Sequence, residues 1–210
     1  KCSTIREMSE YISSLKPIVS EDEKPHFEDE IAITGLAFRL PNAQNQEEIW
    51  DVLINGKNCV KKLDSERQSL SKEKSWDDIF GQIEGIDSFD YDFFNLSKET
   101  ASFMDPQQRI SLEVAYEALD DAGEGVLEKE NKNIAIISAA SSNAYLPMVL
   151  DYVKNKGAAN LPETAMIDNL NSTIATRVAK YLNSKGLAMS VDSACSSFLV
   201  ALSTAEKLIK

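Results

Sequence analysis

Three short apolar runs, each followed by a stretch with helical spacing, constrain the fold of this chain more than any other feature. They are "IAIT" (Ile31–Thr34), "NIAIISA" (Asn133–Ala139) and the run Leu187–Val191. Each lacks polar alternation, the pattern of a strand buried on both faces. The intervening stretches are helical. Gln46–Asn55 sets Ile49, Trp50, Leu53 and Ile54 on one side, with Gly56 as a stop. Met104–Gly123 joins a natural N-cap, Asp105, to Pro106 at the first helical position. Leu112, Ala115, Leu119 and Ala122 follow at helical spacing before Gly123. Pro162–Leu182 reads as mostly helical, with Ile167, Leu170, Ile174, Val178 and Leu182 on one face. A last helix runs from about Cys195 to Ile209, turning Phe198, Leu199, Leu202, Ala205 and Ile209 inward. Strands alternating with helices predict an α/β fold, with helical layers on a mainly parallel or mixed sheet.

The remaining segments are read more coarsely. Residues Cys59–Gly85 are polar and weakly patterned, predicting irregular surface structure, and Ile86–Phe94 ("IDSFDYDFF") predicts an aromatic loop packed on the core. Thr4–Leu15 predicts a short helix ended by Pro17, because proline removes a backbone donor. Ser20–Glu30 is charged, carries Pro25 and has little to bury, so it reads as a linker. The first residue is Lys rather than Met, which suggests a piece of a longer chain.

Charge and cysteine usage narrow the function. A net charge of −12 argues against nucleic acid and against anionic membrane surfaces, both of which require clustered Lys and Arg. No apolar run approaches a membrane span, and the N-terminus does not resemble a signal peptide. Cys2, Cys59 and Cys195 are far apart and odd in number, which suggests neither a disulfide framework nor a metal site. That usage fits a reducing cytoplasm. His26, the only histidine, lies in the acidic stretch and reads as a solvated linker residue. The sequons at Asn95 and Asn171 read as chance matches.

The chemistry concentrates at "VDSACSSFLVAL" (Val191–Leu202), where Cys195 falls between a strand and a helix, among small residues. Amides without an intrahelical acceptor and the positive end of a helix dipole favour a thiolate there. The same amides can steady an oxyanion when sulfur attacks a thioester. A free cysteine is also a common inert core residue, and elbows of this shape occur on unrelated folds. Spacing alone leaves both readings open.

Wording adds what spacing does not. "VDSACSSFLVAL" resembles the active-site segment of the β-ketoacyl synthases of modular polyketide synthases. "IAITGLAFRLPNAQNQEEIWDVLINGKN" (Ile31–Asn58) resembles that family's opening strand, loop and helix. "FDYDFFNLSKETASFMDPQQRISLEVAYEALDDAG" (Phe89–Gly123) resembles its most recognisable segment. "NSTIATRVAKYLNSKGLAMSVDSACSS" (Asn171–Ser197) is similar to the approach to its cysteine. The resemblance covers Glu30–Lys210 and implies the N-terminal half of a thiolase-like, layered α-β-α fold, incomplete without a downstream half. It also implies a homodimer for the complete domain.

On this resemblance Cys195 is the catalytic residue. It takes an acyl chain as a thioester from the phosphopantetheine arm of an acyl carrier protein. Decarboxylative condensation with a malonyl unit on a carrier protein follows. No cofactor- or metal-binding residue is implied in the chain itself, because substrates arrive on the carrier. Two histidines and a lysine that the family uses lie downstream of the cysteine motif and map onto no residue here. Ser3–Ile12 resembles the last helix of an acyl carrier protein. The expected organisation is therefore a carrier-protein tail at 1–15, an acidic linker at 16–29 and the synthase half at 30–210. Gln107, Gln108 and Arg109 are expected to fix helix ends and domain or dimer contacts. Arg177 is expected in an ion pair, and Asp192 in hydrogen bonds around the elbow. The resemblance leaves room for Asn171, Ser172 and Thr173 along an acyl tunnel. Leu187, Ala188 and Ser193 depart from the usual wording, which leaves acyl specificity open. The competing reading is a split or non-elongating half that mainly docks or passes on an acyl group.

Overall fold

The helix over Met104–Gly123 forms where its end signals place it, and much of the chain is organised around it. The computed structural model describes residues 30–63, 79–124, 133–141 and 143–210. Residues Ile33–Ile209 make up one unit, and the description that follows is of that unit. The expected carrier-protein helix and acidic linker lie outside the described residues.

Helix α1 (Gln46–Ile54) is capped by Asn45, whose side chain accepts the Glu48 amide at 2.9 Å, while the Glu48 carboxylate accepts the Gln44 amide at 2.8 Å. The Asn45 bond satisfies one of the amides that a helix start leaves without an intrahelical acceptor, and the Glu48 bond ties the residue before the cap to the first turn. Gly56, at φ +58°, turns the chain away after it. Strands β1 (Val60–Lys62) and β2 (Ile79–Gly81) then pair antiparallel, with Val60 opposite Gly81. The irregular reading of Cys59–Gly85 is corrected at both of its described ends, since three-residue strands are too short to leave a period. Helix α2 (Lys98–Phe103) is capped by Ser97, which accepts the Thr100 amide at 3.1 Å.

Helix α3 (Pro106–Asp121) starts on Asp105, whose carboxylate accepts the Gln107 amide at 2.9 Å, and Gly123 follows it at φ +71°. Strand β3 (Ile136–Ala139) precedes helix α4 (Leu146–Lys156), which the sequence reading leaves unassigned although Pro147 in its first turn and Gly157 after it, at φ +78°, mark its ends. Helix α5 (Ile174–Tyr181), strand β4 (Ala188–Val191) and helix α6 (Ser197–Ile209) complete the order.

Strands β3 and β4 are parallel, with Ile136 beside Ala188 and Ala139 beside Val191. Parallel neighbours need a crossover, and here α4 and α5 lie between them in the chain. Both α5 and α6 rest on this ladder. The core gathers Phe94 and Leu112 with Val178 and Leu182 of the α5 region, and Ile136 packs against it. Phe89 stacks on Phe94 at 5.2 Å and Phe93 meets Tyr116 edge-on at 5.0 Å, so the aromatic loop does pack on the core. Burying Phe94, 7% exposed, contributes about 1.5–3 kcal/mol.

Two close approaches tie the parts together. A Cβ on Gly186 would stand 2.3 Å from the Ile134 carbonyl oxygen, so only glycine fits there. A Cβ on Gly35 would stand 2.0 Å from the Ala118 carbonyl oxygen, pressing residues 33–40 onto α3. The Leu36 amide donates to Asp121 at 2.8 Å and Arg39 forks onto Glu117, which fixes that segment.

Three further expectations are corrected. Ile31–Thr34 is not a strand: a strand exists only as part of a ladder, and the described ladders are β1–β2 and β3–β4. Ile33 is accordingly 81% exposed. Pro162–Leu182 is helical in pieces, with 3-10 turns at Ile167–Asn169 and Asn171–Thr173 before α5 begins. Ile167 and Leu170 are therefore turned out, while Ile174, Val178 and Leu182 are buried. The third correction concerns α6, where Ser197 and Ala201 are buried but Phe198, Leu199, Leu202 and Ile209 are exposed. A two-stranded ladder is too narrow to cover the whole apolar face of a helix of this length.

Candidate functional site

Strand β4 ends at Val191, and the chain reverses into α6 over only five residues. Asp192 and Ser193 leave the strand. Ala194 then takes φ +53°, the left-handed region that a residue with a Cβ enters only when its surroundings impose it. Residues Ala194–Ser196 form a 3-10 turn, and α6 starts at Ser197. Cys195 thus sits in the turn just ahead of the helix, not on its first turn as the sequence implied. Its thiol is free and exposed. Among the described residues Cys195 is not part of the buried core.

Side chains hold the elbow by bonding to its own backbone. The Ala194 amide donates to the Asp192 carboxylate at 3.1 Å, as expected for Asp192. Ser197 accepts the Ser193 amide at 2.9 Å and donates its hydroxyl hydrogen to the Ala194 carbonyl at 2.7 Å. Ser196 reaches the Ser193 carbonyl at 2.9 Å. Upstream, Ser190 of β4 donates to the Asn171 carbonyl at 3.0 Å, and its hydroxyl lies 2.7 Å from that of Ser138 on β3. The strand carrying the elbow is therefore tied both to its neighbour and to the segment preceding α5. These serine-to-backbone bonds were not predicted, because a local side-chain bond has no periodic signature.

A second buried cluster stands behind this frame. Asp168, fully buried, pairs with Arg177 and accepts the Thr164 hydroxyl at 2.7 Å. Gln108, 1% exposed, accepts from Arg177 Nε at 2.5 Å and donates to Thr173 at 3.0 Å. The ion pair expected at Arg177 is present, and Gln108 links α3 to the entry of α5. Thr173 also lines an open cleft of about 440 Å³ with Thr164, Asp168, Thr176 and Arg177, and Cys195 is not among the residues lining it. The Arg109 Nε is buried without a hydrogen-bond partner. Beside it, burial pushes the Glu113 carboxyl up, with Glu117 adding to this and Arg39 and Arg109 opposing.

No group of His, Cys, Asp and Glu among the described residues is arranged to hold a metal ion. None of the described helices is long and apolar enough to cross a membrane. What the elbow offers chemically is one accessible sulfur beside amides at the positive end of a helix, an arrangement suited to acyl transfer.

Comparison with known proteins identifies the family. The sequence model of "Beta-ketoacyl synthase, N-terminal domain" matches residues 28–210. Polyketide synthase PksL of Bacillus subtilis (strain 168) is 32% identical over 209 residues, covering 92% of this chain and 4% of that protein. Non-reducing polyketide synthase mapC of Penicillium brevicompactum is 35% identical over 188 residues, covering 86% of this chain and 7% of that protein. Among solved structures, ketosynthase twelve from the bacillaene polyketide synthase of Bacillus amyloliquefaciens superposes with a TM-score of 0.70 at 33% identity. It covers 88% of this chain and 31% of that one. The ketosynthase from module 6 of the bacillaene synthase of Bacillus subtilis 168 gives 0.65 at 30% identity, covering 82% and 28%.

Proposed function

The chain belongs to the β-ketoacyl synthase family, whose N-terminal domain it carries with the thiolase-like fold, and on that premise we propose that Cys195 is its acyl-accepting nucleophile. The observation that carries this reading is the free, exposed thiol in the turn between β4 and α6. Cys195 Sγ attacks the thioester carbonyl of an acyl chain on the phosphopantetheine of an acyl carrier protein. The carbon–sulfur bond to the pantetheine breaks, a new one to Cys195 forms, and the pantetheine thiol leaves with the proton. The acyl group is then ready for condensation with a malonyl unit that loses carbon dioxide.

Condensation needs more than this chain supplies. The histidines that the family resemblance implies for decarboxylation have no counterpart here, since His26 is the only histidine and precedes every matching motif. We therefore assign the chain the acylation step, with carbon–carbon bond formation requiring a downstream half of the domain, on the same or a separate polypeptide. The complete domain is expected to act as a homodimer in the cytoplasm.

Mass spectrometry after incubation with an acyl-thioester mimic is expected to place the acyl group on the Cys195 peptide and to find none in Cys195→Ala. A label that persists in Cys195→Ala overturns the assignment. The exposed face of α6 (Phe198, Leu199, Leu202, Ile209) supports a second reading, in which the chain mainly docks onto the downstream half. Stable association with that half, without acylation of Cys195, would favour docking.

A further inference from the structure

The elbow contains one buried hydroxyl, and its two bonds decide how the backbone at the cysteine is oriented. Residues 192–196 are all exposed, whereas Ser197 is 6% exposed. Its single hydroxyl hydrogen goes to the Ala194 carbonyl at 2.7 Å, and its oxygen accepts the Ser193 amide at 2.9 Å. The Ala194 carbonyl also receives the Ser197 amide, so it is drawn toward the start of α6 by two donors from one residue. A trans peptide is planar, with its C=O and N–H pointing in opposite directions. Drawing the Ala194 oxygen onto Ser197 therefore turns the Cys195 amide hydrogen away from it. Ala194 itself holds a left-handed φ of +53°, which a residue with a Cβ keeps only where neighbouring bonds over-determine it.

From this geometry we infer that Ser197 is a positioning residue: it clamps the Ala194–Cys195 peptide so that the Cys195 amide faces the carbonyl oxygen of an incoming thioester. The functional meaning rests on the reading of Cys195 as the acyl acceptor. Ser193 and Ser196 do not share the role, because their hydroxyls are exposed and bond only to each other and to the Ser193 carbonyl.

The inference separates two reactions at the same sulfur. Attack on a thioester builds an oxyanion that needs an aimed amide, whereas alkylation by iodoacetamide displaces iodide and builds none. In the full-length protein, Ser197→Ala is expected to slow acylation of Cys195 from an acyl thioester by about tenfold to a hundredfold. Alkylation of Cys195 by iodoacetamide should stay within about twofold of the parent, showing that the thiol remains accessible and the fold intact. Ser197→Thr, which keeps the hydroxyl, should recover most of the acylation rate. Ala194→Gly, which adopts positive φ without steric cost, should recover part of it in the Ser197→Ala background.

Equal acylation in parent and Ser197→Ala overturns the inference and leaves Cys195 as the acceptor. Acylation and alkylation falling together also overturn it, since that marks a general loss of structure. A parent protein that alkylates but never acylates Cys195 refutes the acceptor reading itself, and the inference with it.

Discussion

Replacing Arg177 with methionine tests the buried frame behind the elbow. Asp168 has 1% of its side chain exposed and Arg177 17%. Removing the guanidinium leaves Asp168 with the Thr164 hydroxyl among its hydrogen-bond partners, and it deprives Gln108 of a donor 2.5 Å from its oxygen. Breaking a buried pair from one side costs about 3–5 kcal/mol, most of it from the uncompensated charge. The partial exposure of Arg177 allows some hydration, and methionine keeps much of the stem packing, so a loss of about 3 kcal/mol is expected. With a urea slope of roughly 2 kcal/mol per molar, the unfolding midpoint by circular dichroism should fall by about 1.5 M. Asp168→Asn combined with Arg177→Met removes both charges of the pair and should restore about 2 kcal/mol of the loss. A cost below about 0.5 kcal/mol for Arg177→Met, the scale of an exposed pair, would refute a buried ion pair here. So would a double variant no better than the single one.

Further outcomes follow from packing and charge. Gly35→Ala would bring a Cβ within 2.0 Å of the Ala118 backbone oxygen, and a loss of about 1–3 kcal/mol is expected in thermal unfolding; an unchanged midpoint would contradict the docking of residues 33–40 on α3. Glu113 is held above its ordinary value of 4.5, mainly by burial, so the folded state binds that proton more tightly than the unfolded one. Its penalty is absent below 4.5, grows as pH rises through the raised folded value, and is complete above it. Glu113→Gln should therefore gain on the parent between pH 4.5 and 7, and show no gain below 4.5. A stability difference that does not change with pH would count against it.

Legibility in the sequence followed the kind of signal each element carries. Helix α3 was readable because Asp105, Pro106 and Gly123 mark its ends independently of its apolar spacing. Strands β3 and β4 were readable as short apolar runs, and Cys195 was found from its setting between β4 and the following helical pattern. Ile31–Thr34 has the same strand-like composition as β3, but composition cannot reveal whether a ladder partner is present. The inward face expected of α6 failed for a related reason: periodicity identifies an apolar face, and the width of the sheet beneath decides how much of it is covered. Within the site, the left-handed Ala194 and the double bond of Ser197 were invisible. A turn of this kind depends on individual hydrogen bonds, and the run of small residues around Cys195 accommodates many alternatives.

On the function proposed above, the elbow makes Cys195, and not merely any accessible thiol, the acyl acceptor. Cys59 is a free, partly exposed thiol in the same chain, outside the elbow, and serves as an internal reference. The direct measurement is a time course of acylation by an acyl thioester, resolved by peptide mapping into the Cys195 and Cys59 sites. Cys195 is expected to be acylated at least about tenfold faster than Cys59 at neutral pH. Equal rates at the two sites, or faster labelling of Cys59, would contradict it.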